Sequence, residues 1–440
     1  MTFTGILDTF RRCVAPRTTH LNVRETSGSR IPPEILTAIF HYLWFQTSDL
    51  QKCIARQAHL RSALLVCREW YLSGVHMLYS KLIIDELSLA LLLPTLKRKP
   101  TLAIHVRTIV ILERPLPPSK SFSESTRRQR VISSVLQSCK SLQSLVLHAR
   151  CSFRVFLSAI RSSSQLQNLR RLAVCGSATS HHHIVARHVT LPQLEELTIT
   201  SMVVGENTVW PSCPSLRRIR LEGCYFTDHL YRPTIPLPPS PLQQIDIYHC
   251  WTERGDSNIS GSLYPFASSL EVLRINSTRI ASPMHLFDFS HFTRVKHLSL
   301  FIDTPQFSLT TLPRSVALMP QLEELVVTCF WDKYELYSPW DVVKDLENLC
   351  QDDMHLEKMP FPVLRELVLQ VAPFWGKRST DGRDTDQKLR SDILQRFCDL
   401  RAIHLQLGER GDLVDSVTSF AGPQRWLRVL GLEGMLMDDC

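Results

Sequence analysis

No two cysteines in this sequence are spaced Cys-x-x-Cys, and the 13 thiols are odd in number and scattered from Cys13 to Cys440. That distribution fits buried free thiols in a reducing compartment better than a disulfide framework. Glycine-rich phosphate loops of the GxxxxGK[ST] or GxGxxG type are missing, as are a Gly-x-Ser-x-Gly elbow and a His-Glu-x-x-His pair. The 17 histidines have no supporting local motif, so no enzymatic activity, cofactor or metal is expected. Long apolar runs are lacking too. The most apolar stretch, Leu87 to Leu96, is interrupted by Pro94 and followed by Lys97-Arg98-Lys99, well short of the ~20 residues a bilayer requires. The opening MTFTGILDTFRRCVAP has no basic start leading into a long apolar core and reads as a poor signal peptide. A soluble protein of the cytoplasm and/or nucleus, without membrane contact, is expected.

What is present is a chain of 440 residues, enough for two or three domains, with a 44% hydrophobic fraction that is ample for a core. Fifty basic against 42 acidic residues leave a formal charge of +8, spread along the chain. This is compatible with nucleic acid or acidic partners but demands neither, and no nucleic-acid partner is expected. His181-His182-His183 has no partner residues at zinc spacing and reads as a solvated loop. Lys97-Arg98-Lys99 and Arg127-Arg128-Gln129-Arg130 read as solvated basic faces.

The chain is organised around Ile31 to Tyr79. Its first half, IPPEILTAIFHYL, opens on prolines and Glu34, which suit the first turn of a helix and the positive end of its dipole. Ile35, Leu36, Ile39, Phe40 and Leu43 then recur at helical spacing. Its second half carries Ala63, Leu64, Val66, Cys67, Trp70 and Tyr71 as a second apolar face. Helices of this size bury too little surface alone, so the unit should lean on a partner or on the following domain.

These two segments, with Pro-x-Glu-Ile-Leu first and Val66-Cys67-Arg68 with Trp70 second, resemble an F-box over residues 31 to about 80. Ile31 stands where that family usually carries Leu, and the segment between Leu43 and Leu64 is longer than usual. The resemblance implies docking on the Skp-family adaptor of a cullin–RING complex. By position, the implied adaptor contacts are Pro32, Pro33, Ile35, Leu36, Ile39, Phe40, Leu43, Leu64, Val66, Cys67 and Trp70.

Beyond the module, Leu82-Ile83-Ile84 reads as a first strand and Ser88 to Lys97 as a helix ended by Pro100. Leu116 to Ser125 and Thr234 to Pro241 read as loops rich in Pro and Ser. A Leu-x-x-Leu-x-Leu frame, with Val or Ile allowed, then repeats from Leu142-Leu145-Leu147 to Leu427-Leu430-Leu432, and Val106-Ile109-Ile111 precedes it as an outlier. Up to Leu322 successive frames begin 22 to 28 residues apart; two longer gaps precede Leu364 and Leu400. Most intervals fall in the window of leucine-rich repeats. Cys224 and Cys250 stand where that pattern expects Asn or Cys. The long gaps should hold a helix from Pro339, capped by Ser338, and a polar loop leading into a helix over Gln387 to Phe397.

The expected fold is therefore α/β: a tail over 1–30, a short all-helical F-box-like module over 31–80, and an irregular leucine-rich-repeat solenoid over 81–440 with a parallel concave sheet. In each frame the second and third apolar residues point inward and their neighbours outward, because strand side chains alternate. The outward set comprises Arg171, Glu196, Arg218, Arg220, Glu222, Gln244, Asp246, Tyr248, Arg274, Asn276, His297, Phe301, Glu324 and Glu366. Arginine and aromatics dominate interface energetics, which favours Arg218, Arg220, Tyr248 and Arg274 as target-binding residues. The resemblance implies a substrate-recognition subunit of an SCF-type ubiquitin ligase. The alternative is a repeat scaffold unrelated to ubiquitination, its N-terminal helices acting as a cap.

Overall fold

The computed structural model describes residues 32–44, 50–66, 68–112, 122–148, 166–176, 189–204, 210–226, 241–248, 250–252, 263–276, 289–302, 316, 319–330, 363–372, 398–399 and 403–409. Helices come first. α1 (Pro33–Trp44), α2 (Leu50–Leu64) and α3 (Arg68–Ser80) pack on one another. Pro33 sits in the first turn of α1, where no N–H is needed, and the Pro32 carbonyl accepts from the Ile35 and Leu36 amides at 3.0 and 3.1 Å. Leu36, Phe40, Leu60, Leu64 and Met77 bury one another, and the Trp70 ring meets Phe40 edge-on at 5.7 Å. Gly74 permits this approach: a Cβ there would fall 2.5 Å from Leu64 Cδ2 and 2.7 Å from Phe40 Cδ2. Most of the long segment between Leu43 and Leu64 is thus the helix α2.

Strands follow in chain order: β1 (Lys81–Asp85), β2 (Thr108–Leu112), β3 (Ser144–His148), β4 (Arg171–Cys175), β5 (Glu196–Thr200), β6 (Val203–Val204), β7 (Arg218–Glu222) and β8 (Tyr225–Phe226). Then come β9 (Gln244–Tyr248), β10 (Trp251–Thr252), β11 (Val272–Asn276), β12 (His297–Ile302), β13 (Glu324–Phe330), β14 (Glu366–Ala372) and β15 (His404–Glu409). Twelve of these form one parallel sheet in the order β1-β2-β3-β4-β5-β7-β9-β11-β12-β13-β14-β15. Between β1 and β3 lie α4 (Glu86–Arg98), α5 (Pro100–His105) and α6 (Phe122–Ser138), with α4 packed on α5 and α6. The architecture is mixed α/β, dominated by the sheet.

From β2 to β13 the strands of the large sheet form because a frame supplies two apolar residues two apart, both buried. Leu145 and Leu147 pair in register with Ile109 and Ile111 on one side and with Leu172 and Val174 on the other. The frame's first residue (Leu142, Leu169, Leu194, Leu216, Leu242, Leu270) is buried beneath the strand's entry. Side chains of this kind contribute about 1.5–3 kcal/mol each when fully buried. Backbone polarity is met by a matching ladder. The amides of Gln143, Arg170, Glu195, Arg217, Gln243, Glu271, Lys296, Glu323 and His404 donate to carbonyls one repeat earlier at 2.7–3.0 Å.

Several sequence expectations need correction. Val106-Ile109-Ile111 is no outlier, since β2 joins the sheet in register with β3. Ser88–Lys97 lies within a helix extending over Glu86–Arg98, with Pro94 inside it, and a further helix starts at Pro100. The final residues of the loop expected over Leu116–Ser125 belong to α6. The frame at Leu427, the helices expected from Pro339 and over Gln387–Phe397, Cys67, the tail 1–30 and His181–His183 lie outside the described residues.

One feature of the core was not anticipated. β6, β8 and β10 form a second, three-stranded parallel sheet, entered through Met202, Cys224 and Cys250. Gly223 and Ser201, at matching places before it, have φ of 56° and 53° and turn the chain out of the large sheet. Beneath them the Cys224 thiol donates to the Ile199 carbonyl at 3.4 Å, and Cys250 to the Tyr248 carbonyl at 3.3 Å. Cys224 and Cys250 therefore tie the strand ends to the turn that follows.

Candidate binding face

Alternation along the strands puts one set of side chains into the core and the other onto the opposite face of the large sheet. Register then arranges the outward set in rows. The first row runs Arg171, Glu196, Arg218, Gln244, Val272, His297, Glu324, Glu366 and His404, and the second runs Ala173, Thr198, Arg220, Asp246, Arg274, Ser299, Val326 and Val368. The third includes Thr200, Glu222 and Tyr248. The outward positions expected from sequence thus share one face; the side chains of Asn276 and Phe301 lie outside the described set.

At its centre the face is a charge network. Asp246 on β9 has a side chain with 0% exposure. From β7, Arg218 donates to Asp246 Oδ2 through Nε (3.2 Å) and Nη2 (3.0 Å). From β11, Arg274 donates through Nη1 to Oδ1 at 3.3 Å. Gln244 Nε2 reaches both carboxylate oxygens, at 3.0 and 2.9 Å. A carboxylate so far from water persists only when its lone pairs are engaged, and here two guanidinium groups and an amide engage them. Beside it, Arg220 Nη2 lies 3.0 Å from Glu222 Oε2, and the Arg220 guanidinium sits over the Tyr248 ring at 4.7 Å. Burial pushes the Glu222 carboxyl above its ordinary range, with Arg220 opposing. Burial, and then the Asp246 charge, raise the Tyr248 phenol.

The rest of the face carries weaker pairs. Arg171 Nε stands 3.3 Å from Glu196 Oε2, and His297 Nδ1 stands 2.7 Å from Glu324 Oε2. These are largely solvent-exposed and contribute about 0–1 kcal/mol each. Arg218, Arg220, Tyr248 and Arg274, favoured from sequence, stand together here. The sequence reasoning did not find Asp246 and Gln244 as the pieces that hold them.

The helical module presents a second surface. Of the residues aligned with adaptor contacts, Pro32, Ile35 (51% exposed) and Val66 (49%) face solvent, and Ile39 and Trp70 are half-buried. Leu36, Phe40 and Leu64 are buried inside the three-helix unit, so these helices bury more of their own apolar surface than their size suggests. The side chains of Pro33 and Leu43 lie outside the described set. Leu65 and Leu72, not singled out from sequence, are more exposed than Ile35.

No protein-family model matches the chain, and no curated protein matches it. Among the described residues, no group of three or more His, Cys, Asp or Glu side chains is placed to hold a metal ion. No described helix is long and apolar enough to cross a membrane. Cys139, Cys175 and Cys213 are thiols that burial pushes up to about 12, which makes them poor nucleophiles.

Proposed function

We propose that the chain is the substrate-recognition subunit of an SCF-type cullin–RING ubiquitin ligase. In this reading α1–α3 are an F-box that docks on a Skp-family adaptor, and the sheet belongs to a leucine-rich-repeat solenoid whose concave face holds the target protein. The observation that carries the reading is the pairing of two motifs on one unit. Pro-x-Glu-Ile-Leu opens α1, the Val66-Cys67-Arg68 segment leads into α3, and exposed Ile35, Leu65, Val66 and Leu72 lie on or next to these helices. Apolar side chains left this open on a small helical unit fit a docking surface. No chemistry within the chain is required: holding a target near a ligase raises its effective concentration.

One observation favours a second reading, a repeat scaffold capped by its N-terminal helices. Val75 of α3 is buried in the core that runs under the sheet, with Tyr71 and Tyr79 packed against it. α3 also contacts β1 and α5. A cap would cover the first strand in this way, but it gives no reason for Ile35 and Val66 to stay exposed. Co-expression of the full chain with the Skp-family adaptor, followed by size exclusion, separates the two. The receptor reading predicts co-elution at equal stoichiometry; a folded chain eluting alone leaves the cap reading.

A further inference from the structure

The Arg218–Asp246–Arg274 network has a surplus that its internal pairing does not use. Arg218 spends Nε and Nη2 on Asp246, and Arg274 spends Nη1, and neither has another hydrogen bond among the described residues. Their side chains remain 39% and 40% exposed, although the carboxylate between them is fully buried. A buried acid that pins two guanidinium groups from β7 and β11 fixes their orientation in advance and leaves outer N–H groups to solvent. Charge counting points the same way. Arg218 and Arg274 carry two positive charges against the single carboxylate of Asp246 that they share, a surplus of one within this network.

From this we infer that the centre of the sheet face is a recognition site for one carboxylate side chain, Asp or Glu, on a peptide segment of a partner protein. The inference rests on the proposal that this face holds the target. A guanidinium fork matches a planar carboxylate in shape. The surplus of one charge suits a monoanion; a phosphate near −2 would add a second negative charge beside two carboxylates already present. Tyr248, held under Arg220, supplies an aromatic wall next to the fork.

The test uses the full chain alone, with no adaptor, and three fluorescein-labelled Gly-Ser peptides bearing a single central Glu, Gln or phosphoserine. Anisotropy should show the Glu peptide binding at least tenfold more tightly than the Gln peptide. The triple variant Arg218→Gln/Asp246→Asn/Arg274→Gln removes the network without stranding a buried charge, and should erase that difference. Arg218→Lys/Arg274→Lys keeps the charge but loses the fork, and should weaken Glu-peptide binding about fivefold or more. Arg170→Gln/Arg294→Gln, at exposed arginines outside the network, should change it less than twofold. Equal affinity for the Glu and Gln peptides, tighter binding of the phosphoserine peptide, or an equal loss in the Arg170/Arg294 variant would overturn the inference. Any of these results leaves the adaptor complex, measured separately, unaffected.

Discussion

At Asp246 two substitutions that look equivalent should differ. Asp246→Ala leaves Arg218 and Arg274 without their partner, yet both are two-fifths exposed and can turn to water. The loss should be about 1–3 kcal/mol, that of leaving hydrogen-bonding groups unmet. Arg218→Ala with Arg274→Ala instead leaves a wholly buried carboxylate with Gln244 as its remaining partner, and should lose about 3–5 kcal/mol. Urea denaturation at pH 7 measures both, and equal losses would mean that burial is not what makes the site sensitive. Glu222 gives a pH prediction. Burial raises its carboxyl, so between the ordinary value of 4.5 and the raised one the folded chain holds more protons than the unfolded chain. Its contribution to stability therefore falls as pH rises through that window. Glu222→Gln should flatten this decline in a urea series across the window; an unchanged slope would show that Glu222 is not its source. Alternation assigned all these residues to the correct face from sequence. Depth was not legible, because it depends on which neighbours from β7 and β11 lean over β9, and residue spacing carries no information on that.

Elements were legible wherever the inward pair was Leu, Ile or Val at a spacing of two. The central strands lie where the frames stand, and even β1 and β2 could be read from Leu82-Ile83-Ile84 and Ile109 with Ile111. The small sheet of β6, β8 and β10 went unread because two-residue strands leave no period. A signal existed: Val203, Tyr225 and Trp251 each stand nine residues after a frame's first Leu. α2 was also missed, since its apolar residues do not form a clean stripe and its fold depends on contact with α1 and α3. Gly74 is the tightest of those contacts. Gly74→Val should force Leu64 and Phe40 apart and lower the melting temperature of the helical module by several degrees, while the far end of the sheet keeps its hydrogen-exchange protection. A uniform loss of protection would mean that module and sheet unfold as one unit.

For the whole molecule the central claim is a division of labour, with an anchor in α1–α3 and a recognition face on the sheet. The chemistry of the two surfaces differs accordingly: exposed Ile35, Leu65, Val66 and Leu72 on one, pinned arginines on the other. Sequence carried the helical module through its motif, but not which of its residues are exposed. Leu36, Phe40 and Leu64 hold the module together, so substitutions there would report on folding, and Leu36→Ala alone should destabilise it by about 2–5 kcal/mol. The discriminating variant alters exposed positions only. Ile35→Asp with Val66→Asp should leave the melting temperature of the full chain within a few degrees of wild type and weaken its affinity for the Skp-family adaptor at least tenfold. A wild-type chain that binds the adaptor, and a folded double variant that does not, is the result the account predicts. Unaltered affinity in the folded variant, or no binding by the wild type, would contradict it.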